Sequence, residues 1–286
     1  MIFNKQNIFK RILAAPLILL ACTVAGQQHR VFTFRQGEEF EKQIHMNSTC
    51  SIQRGKQILN VSSSSVISRS YQVTAASDTA YQFSVTIKKM DDLINFQGKY
   101  LHFNSETTID TTSQIHKVLK YMMAKPSYIS INKRGIILSA TDANADLATD
   151  TLVAFAGLPE QSFVKGGRFD LVADFSSNKA LKKGYAWTVS SSAKGQKMTT
   201  DFVIDNITDA ITIVKFKSSV KGQYLNSNSN GTYILDNRSG LVIQRLVESV
   251  STGYQLKNNV LYATTRRISL AEDCVKVTAT NASLKR

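Results

Sequence analysis

The stretch Tyr233-Ile234-Leu235-Asp236-Asn237-Arg238-Ser239-Gly240-Leu241-Val242-Ile243 decides how the rest of the chain is read. Two apolar runs flank a short polar loop ending in glycine, the residue most tolerant of positive φ, which is the pattern of a β-hairpin. Working outward, Thr200 to Ile207, Ala210 to Val220, Thr232 to Asp236, Leu241 to Ser251 and Val260 to Leu270 are rich in Val, Ile, Thr, Tyr and Phe. Turn residues separate them at Asp205-Asn206, Asn226 to Gly231, Asp236 to Gly240 and Lys257 to Asn259. The C-terminal third, from Lys197 to Cys274, therefore reads as a β-meander. A sheet of that length needs cover on one face, and the rest of the chain has to supply it.

The N-terminal half adds strands. Phe40 to Met46, Ile58 to Thr74 and Tyr100 to Phe103 are strand-like, and Ser62 to Ser65 is read as a polar face beside Val61, Val66 and Ile67. Tyr81, Phe83, Val85 and Ile87 alternate with Gln82, Ser84, Thr86 and Lys88, the mark of a half-buried strand with one wet side. The period then changes. Ser113 can cap a helix in which Ile115, Val118, Leu119 and Met122 form one apolar stripe, and Pro126 ends it. Lys133-Arg134-Gly135 links strands Tyr128 to Asn132 and Ile136 to Ser139, and a second helix is predicted from near Asp146 to Phe155. Lys165 to Phe169 reads as a turn, Leu171 to Phe175 as a short strand, and Lys183 to Val189 as the start of the meander. The predicted fold is mainly β with minor α. It is a single domain over 27–277, a curved antiparallel sheet or open half-barrel with short helices on its concave face, followed by a frayed tail over 278–286.

The N-terminus predicts export. Lys5, Lys10 and Arg11 precede the apolar run Ile12 to Ala21, which is too short to span a bilayer as a permanent helix. Leu19-Leu20-Ala21-Cys22 resembles a lipobox, which makes 1–21 the signal peptide and Cys22 the lipidation candidate, anchoring the chain to a membrane facing the periplasm. Cleavage after Val24-Ala25-Gly26 instead makes the signal 1–26 and the protein soluble. Either way Cys50 and Cys274 remain in an oxidising compartment and form a disulfide candidate. That bond would close a loop worth about 5 kcal/mol in chain entropy. The alternative is two buried thiols.

The formal charge is +14, with three positive charges in the leader. Lys and Arg are scattered singly or in pairs, with no aromatic-interleaved stripe on a nucleic-acid module, so nucleic acid is not an expected partner. His29, His45, His102 and His116 share no metal-ligand spacing. No Gly-x-Ser-x-Gly elbow occurs. Asp91-Asp92 and Glu38-Glu39 are read as solvated turn acids. These patterns assign no catalytic residue, metal or cofactor, and the chain is not read as an enzyme. The apolar ligand-facing candidates are Tyr81, Phe83, Val85 and Ile87 on the strand and Ile115, Val118, Leu119 and Met122 on the helix. They are either plain core or the facing walls of a cavity.

The order of pieces resembles a family of exported Bacteroidota envelope proteins of unknown function. The matching motifs are Phe34-Arg35-Gln36-Gly37-Glu38, Tyr71-Gln72-Val73-Thr74, Phe83 to Met90, Phe103-Asn104-Ser105-Glu106, Arg134-Gly135-Ile136, Leu158-Pro159, Lys183-Gly184-Tyr185-Ala186-Trp187 and Gly231 to Gly240. Glu160 to Leu181 is extra sequence where that family is compact. More distantly, a curved sheet under helices is similar to the periplasmic lipoprotein-carrier half-barrel of the LolA/LppX type, and that analogy implies lipid handling. The expected function is a non-enzymatic periplasmic envelope protein binding a lipid or other apolar ligand between sheet and helices. The alternative is a structural or interaction module with a filled core and no small-molecule ligand.

Overall fold

The computed structural model describes residues 32–107, 113–141, 163, 165–173, 181–193, 196–257 and 260–277. Cys22, both signal-peptide alternatives, the second predicted helix and the tail lie outside them.

The strands are β1 (Glu39–Arg54), β2 (Gln57–Ala76), β3 (Ala80–Phe96), β4 (Lys99–Asn104), β5 (Ser127–Asn132), β6 (Ile137–Thr141), β7 (Ala186–Ala193), β8 (Gln196–Ile207), β9 (Ile211–Lys221), β10 (Leu225–Asp236), β11 (Val242–Lys257) and β12 (Val260–Val277). Among the described residues one helix, α1 (Gln114–Ala124), lies between β4 and β5. All twelve strands belong to one antiparallel sheet in the order β6-β5-β3-β2-β1-β12-β11-β10-β9-β8-β7, with β4 pairing off β3. The sheet is open and does not close into a barrel.

One face carries the core. Along β1, Phe40, Lys42, Ile44, Met46 and Ser48 are buried while their neighbours are more exposed, the period of 2 that a one-sided strand requires. In β3 the period breaks once. Ser68 pairs Lys89 but Arg69 pairs Ile87, so Lys88 is an extra residue, a β-bulge. The bulge switches parity, which keeps Tyr81, Phe83, Val85 and Ile87 on the same face as Met90, Asp92 and Ile94. The predicted turn at Asp91-Asp92 is thereby corrected: both lie inside β3, and Asp92 is fully buried. The serine run is corrected too. Ser63 and Ser65 are buried on the core face, whereas Ser62 and Ser64 point the other way. Asn226 to Gly231 is not a turn but the first half of β10, and the chain reverses instead just before it, where Gly222 N–H donates to Leu225 O at 3.1 Å.

Residues 165–173 form a strap across the core-bearing face. Arg168 bridges Ile136 at the β5–β6 turn, and Val172 bridges Leu241 at the start of β11. In a flat sheet those points are six strand spacings apart, about 29 Å. Four residues of chain reach about 14 Å, and the two bridges add about 10 Å, so the sheet must curl toward the strap. Gly135 makes the docking possible. Its φ is +76°, and a Cβ there would collide with the Val172 side chain. The sequence reading of this segment as a turn and a strand missed its role: Phe169 and Leu171 are fully buried.

Three apolar clusters line the curled face. The first packs Phe34, Phe40, Tyr81, Phe83, Val85 and Ile129 under Phe169 and Leu171 of the strap. The second packs Leu119, Val118 and Met122 of α1 on Ile44, Ile67, Met90 and Ile94. The third joins Ile204, Val214, Tyr233, Leu235 and Val242 to Trp187, Phe202 and Phe216. Helix α1 follows the predicted signals: Ser113 Oγ accepts from His116 N–H, and the helix stops at Lys125, before Pro126. His116, which the helical period puts on the polar side of α1, is not solvated there. It is buried against Phe103 at 5.3 Å, with Nε2 3.1 Å from His102 O.

Candidate functional site

The structure divides the predicted ligand-facing residues between two clusters. Tyr81, Phe83 and Val85 lie in the first, with Phe83 in edge contact with Phe34 at 5.0 Å and 4.6 Å from Phe169. Ile87, Val118, Leu119 and Met122 lie in the second. The side chain of Ile115 lies outside the described residues. Strand wall and helix stripe therefore do not face each other across one space: the strap covers the first set and α1 the second. The disulfide prediction is also corrected. Cys50 and Cys274 are both free. Cys50 pairs Arg266 on β12, and Cys274 lies eight residues farther along that strand. That is about 26 Å, against a Cα limit of about 7 Å for a disulfide.

What the register does assemble is an apolar lane running across the strands. Trp187 pairs Phe202, Phe202 pairs Phe216, Phe216 pairs Gly231, Gly231 pairs Val247, Val247 pairs Leu270 and Leu270 pairs Met46. Seven strands contribute one residue each, so the lane is about 29 Å long. Trp187 stacks on Phe202 at 5.0 Å and 12°, and on Tyr185 at 5.6 Å and 22°. Gly231 leaves room that the Phe216 ring takes: a Cβ there would sit 2.7 Å from Phe216 Cζ. From Trp187 to Leu270 the side chains are only half-buried, whereas Met46 is fully buried, so the lane runs from a partly open end to a closed one.

The lane has two different borders. On one side the equivalent row is Thr200, Ser218, Ser229, Ser249, Ile268 and Ser48. Its hydroxyls bond to one another, Thr200 to Ser218 at 2.9 Å and Ser229 to Ser249 at 2.9 Å. On the other side lie Ile204, Val214, Tyr233, Arg245, Glu272 and Ile44, so an ion pair sits in the middle of an otherwise apolar row. The opposite face of these strands holds a cleft of about 470 Å³ lined by Val203, Lys215, Gly231 and Thr232 together with Asp201 and Lys217. That cleft is lined mainly by apolar surface, Ala186, Phe202 and Phe216 included, with three charged side chains around it, whereas the lane runs unbroken across seven strands.

The ion pair belongs to a larger buried cluster. Lys42 Nζ lies 2.7 Å from Asp170 Oδ2 on the strap and 3.4 Å from Glu272 Oε2. Arg245 Nη2 lies 2.7 Å from Glu272 Oε1, and the Tyr71 hydroxyl donates to Asp170 Oδ2 at 2.7 Å. Burial by itself would lower the Lys42 pKa, but the Asp170 carboxylate beside it more than offsets this and holds Lys42 firmly charged. Asp170, whose burial would raise it, is drawn down to about 2 by Lys42, with help from Arg245 and Arg69. Burial pushes the neighbouring Cys274 thiol up to about 11, so it is protonated and inert. Sequence reasoning missed this cluster, although a signal existed. Lys42 falls in the apolar register of Phe40, Ile44 and Met46, and Glu272 in that of Ile268, Leu270 and Cys274.

Past Met46 the lane row continues through Ser65 to Asp92. Ser65 Oγ donates to Asp92 Oδ1 at 2.6 Å, while Asp92 Oδ2 is buried without a partner among the described residues. Burial pushes Asp92 up to about 7. A carboxyl raised above its unfolded value contributes stability that is full below the ordinary pKa near 3.8 and is lost as pH rises through 7. Asp92→Asn is therefore expected to be more stable than wild type at pH 8, by about 2–4 kcal/mol, with the gap closing toward pH 4. Urea denaturation at both pH values checks this, and equal effects at the two would show that Asp92 does not titrate in this range.

No family model matches the sequence, and no curated protein matches it. Among solved structures, one entitled "Lipid-protein interactions in lipovitellin" is similar at 11% identity and a TM-score of 0.49, over 87% of this chain and 26% of that one. This chain thus spans about a quarter of that structure's length. OccK8 (OprE) of Pseudomonas aeruginosa is similar at 4% identity and a TM-score of 0.20, over 84% of this chain and 98% of that one. A BenF-like porin from Pseudomonas fluorescens Pf-5 stands at 5% and 0.21, over 84% and 99%. Likenesses this low carry no argument about ligand or activity, so the functional reading rests on the lane and its borders.

Proposed function

We propose that this chain is an exported, non-enzymatic envelope protein that holds a lipid or other apolar ligand against the core-bearing face of its open sheet. The lane carries the reading. Trp187, Phe202, Phe216, Val247 and Leu270 form a continuous apolar strip that is left half-buried, although burying such side chains fully is worth about 1.5–3 kcal/mol each. A ligand laid along the strip would recover part of that. The first two clusters favour a second reading, a filled structural module, because Phe83, Val85 and Leu119 are already covered by the strap and α1.

Trp187 separates the two readings, since it is the only tryptophan of the chain and sits in the lane. Its emission is expected to be quenched in a saturable way by a long-chain lipid brominated along its tail. Native mass spectrometry of protein purified from its own envelope should then show retained lipid. Unchanged emission and a lipid-free mass would decide for the filled module.

A further inference from the structure

We infer that the ligand of this lane is a single-chain amphiphile with an anionic head group, its head against Arg245 and its chain along Val247, Phe216 and Trp187. This rests on the apolar-ligand reading and adds to it the chemistry of the head.

The first observation is charge balance. Within the buried cluster Lys42, Arg69 and Arg245 face two carboxylates, Asp170 and Glu272. Lys42 is shared between both carboxylates, whereas Arg245 ends the ion chain on Glu272 alone, so its guanidinium is the cation placed to take a further anionic partner. The second is access. The Lys42 and Glu272 side chains are 2% and 3% exposed, but that of Arg245 is 26% exposed. Arg245 is thus the one member of the Lys42–Glu272–Arg245 ion chain that a ligand can reach. The third is unused hydrogen-bonding capacity. Arg245 Nη2 is committed to Glu272, while Nε is buried with no hydrogen-bond partner among the described residues. A guanidinium edge offers a carboxylate or phosphate paired donors in a fixed fork.

Geometry joins head to tail. Arg245 and Val247 are successive core-face positions of β11, so the guanidinium stands at the border of the lane. From β11 to Trp187 on β7 is four strand spacings, about 19 Å, within reach of one long acyl chain. The lane positions themselves carry no carboxylate that would repel the head. A neutral glyceride would fill the lane but offer no charged acceptor to the Arg245 guanidinium.

The test titrates the full chain, following Trp187 emission, with three probes of matched brominated tail: a fatty acid, its methyl ester and a lysophosphatidic acid. At least one anionic probe is expected to bind about tenfold or more tighter than the ester. The tighter anion tells a carboxylate head from a phosphate head. In Arg245→Gln the preference for the anion is expected to fall toward one. Equal binding of acid, phosphate and ester by the wild-type protein would overturn the head-group assignment and leave the apolar-ligand reading standing. No quenching by any probe would remove both. The wild-type comparison decides even if Arg245→Gln folds poorly.

Discussion

Lys42→Met is expected to destabilise the fold by about 3–5 kcal/mol, the usual cost of removing one partner from a buried ion pair. The methionine stem packs where the lysine stem did, so little volume is lost. What is lost is the buried cation that contacts both Asp170 and Glu272. Asp170 is then left buried with the Tyr71 hydroxyl still donating to it, on a strap whose ends dock at Ile136 and Leu241. Its pKa, now about 2, should rise sharply, so the variant is expected to lose more stability than wild type as pH increases through neutrality. Adding Asp170→Asn should recover part of the loss, because it removes the stranded charge. Denaturant unfolding of the single and double variants reads both effects. A single variant within 1 kcal/mol of wild type would mean that the cluster is solvated rather than buried.

Phe83→Ala is expected to cost a similar amount, about 3–5 kcal/mol, for a different reason. The ring is fully buried and touches Phe34 from the sheet end and Phe169 from the strap. Neither neighbour can collapse into the space, since Phe34 is itself wedged between Phe40 and Tyr81. The cost is therefore transfer plus an unrelaxed cavity, with a further loss from the edge-to-face contacts. Because the strap lies on this ring, protease sensitivity near Phe169 should rise in the variant. A change of under 1 kcal/mol with retained packing would put Phe83 on a cavity wall instead.

The two variants mark where sequence reading succeeds and where it stops. Phe83 was legible because its strand alternates without interruption from Tyr81 to Ile87. Asp92 was not, because one extra residue at Lys88 switches the parity, and a bulge leaves no pattern that a period of 2 can see. The Asp236 to Gly240 turn was legible from its side chains: Asp236 accepts from Ser239 N–H at 3.0 Å, and Gly240 takes the positive φ. Asn226 to Gly231 carries the same residue types, yet pairing on both sides holds it in strand. Composition there lost to the ladder.

The sequence by itself determined the mainly β character, the helix between β4 and β5 with its Ser113 cap, and the antiparallel order of the C-terminal strands. Those are local matters, set by alternation, turn chemistry and capping within a few residues. A curved sheet is already expected from the sequence, but only the tertiary structure decided what holds the curve, a nine-residue strap reaching between distant turns. It also decided the lane. Trp187, Phe202, Phe216, Val247 and Leu270 come from five separate strands, and nothing in their spacing along the chain announces that register sets them side by side. A row across a sheet is a property of pairing, and pairing between distant strands is fixed by how the whole face packs.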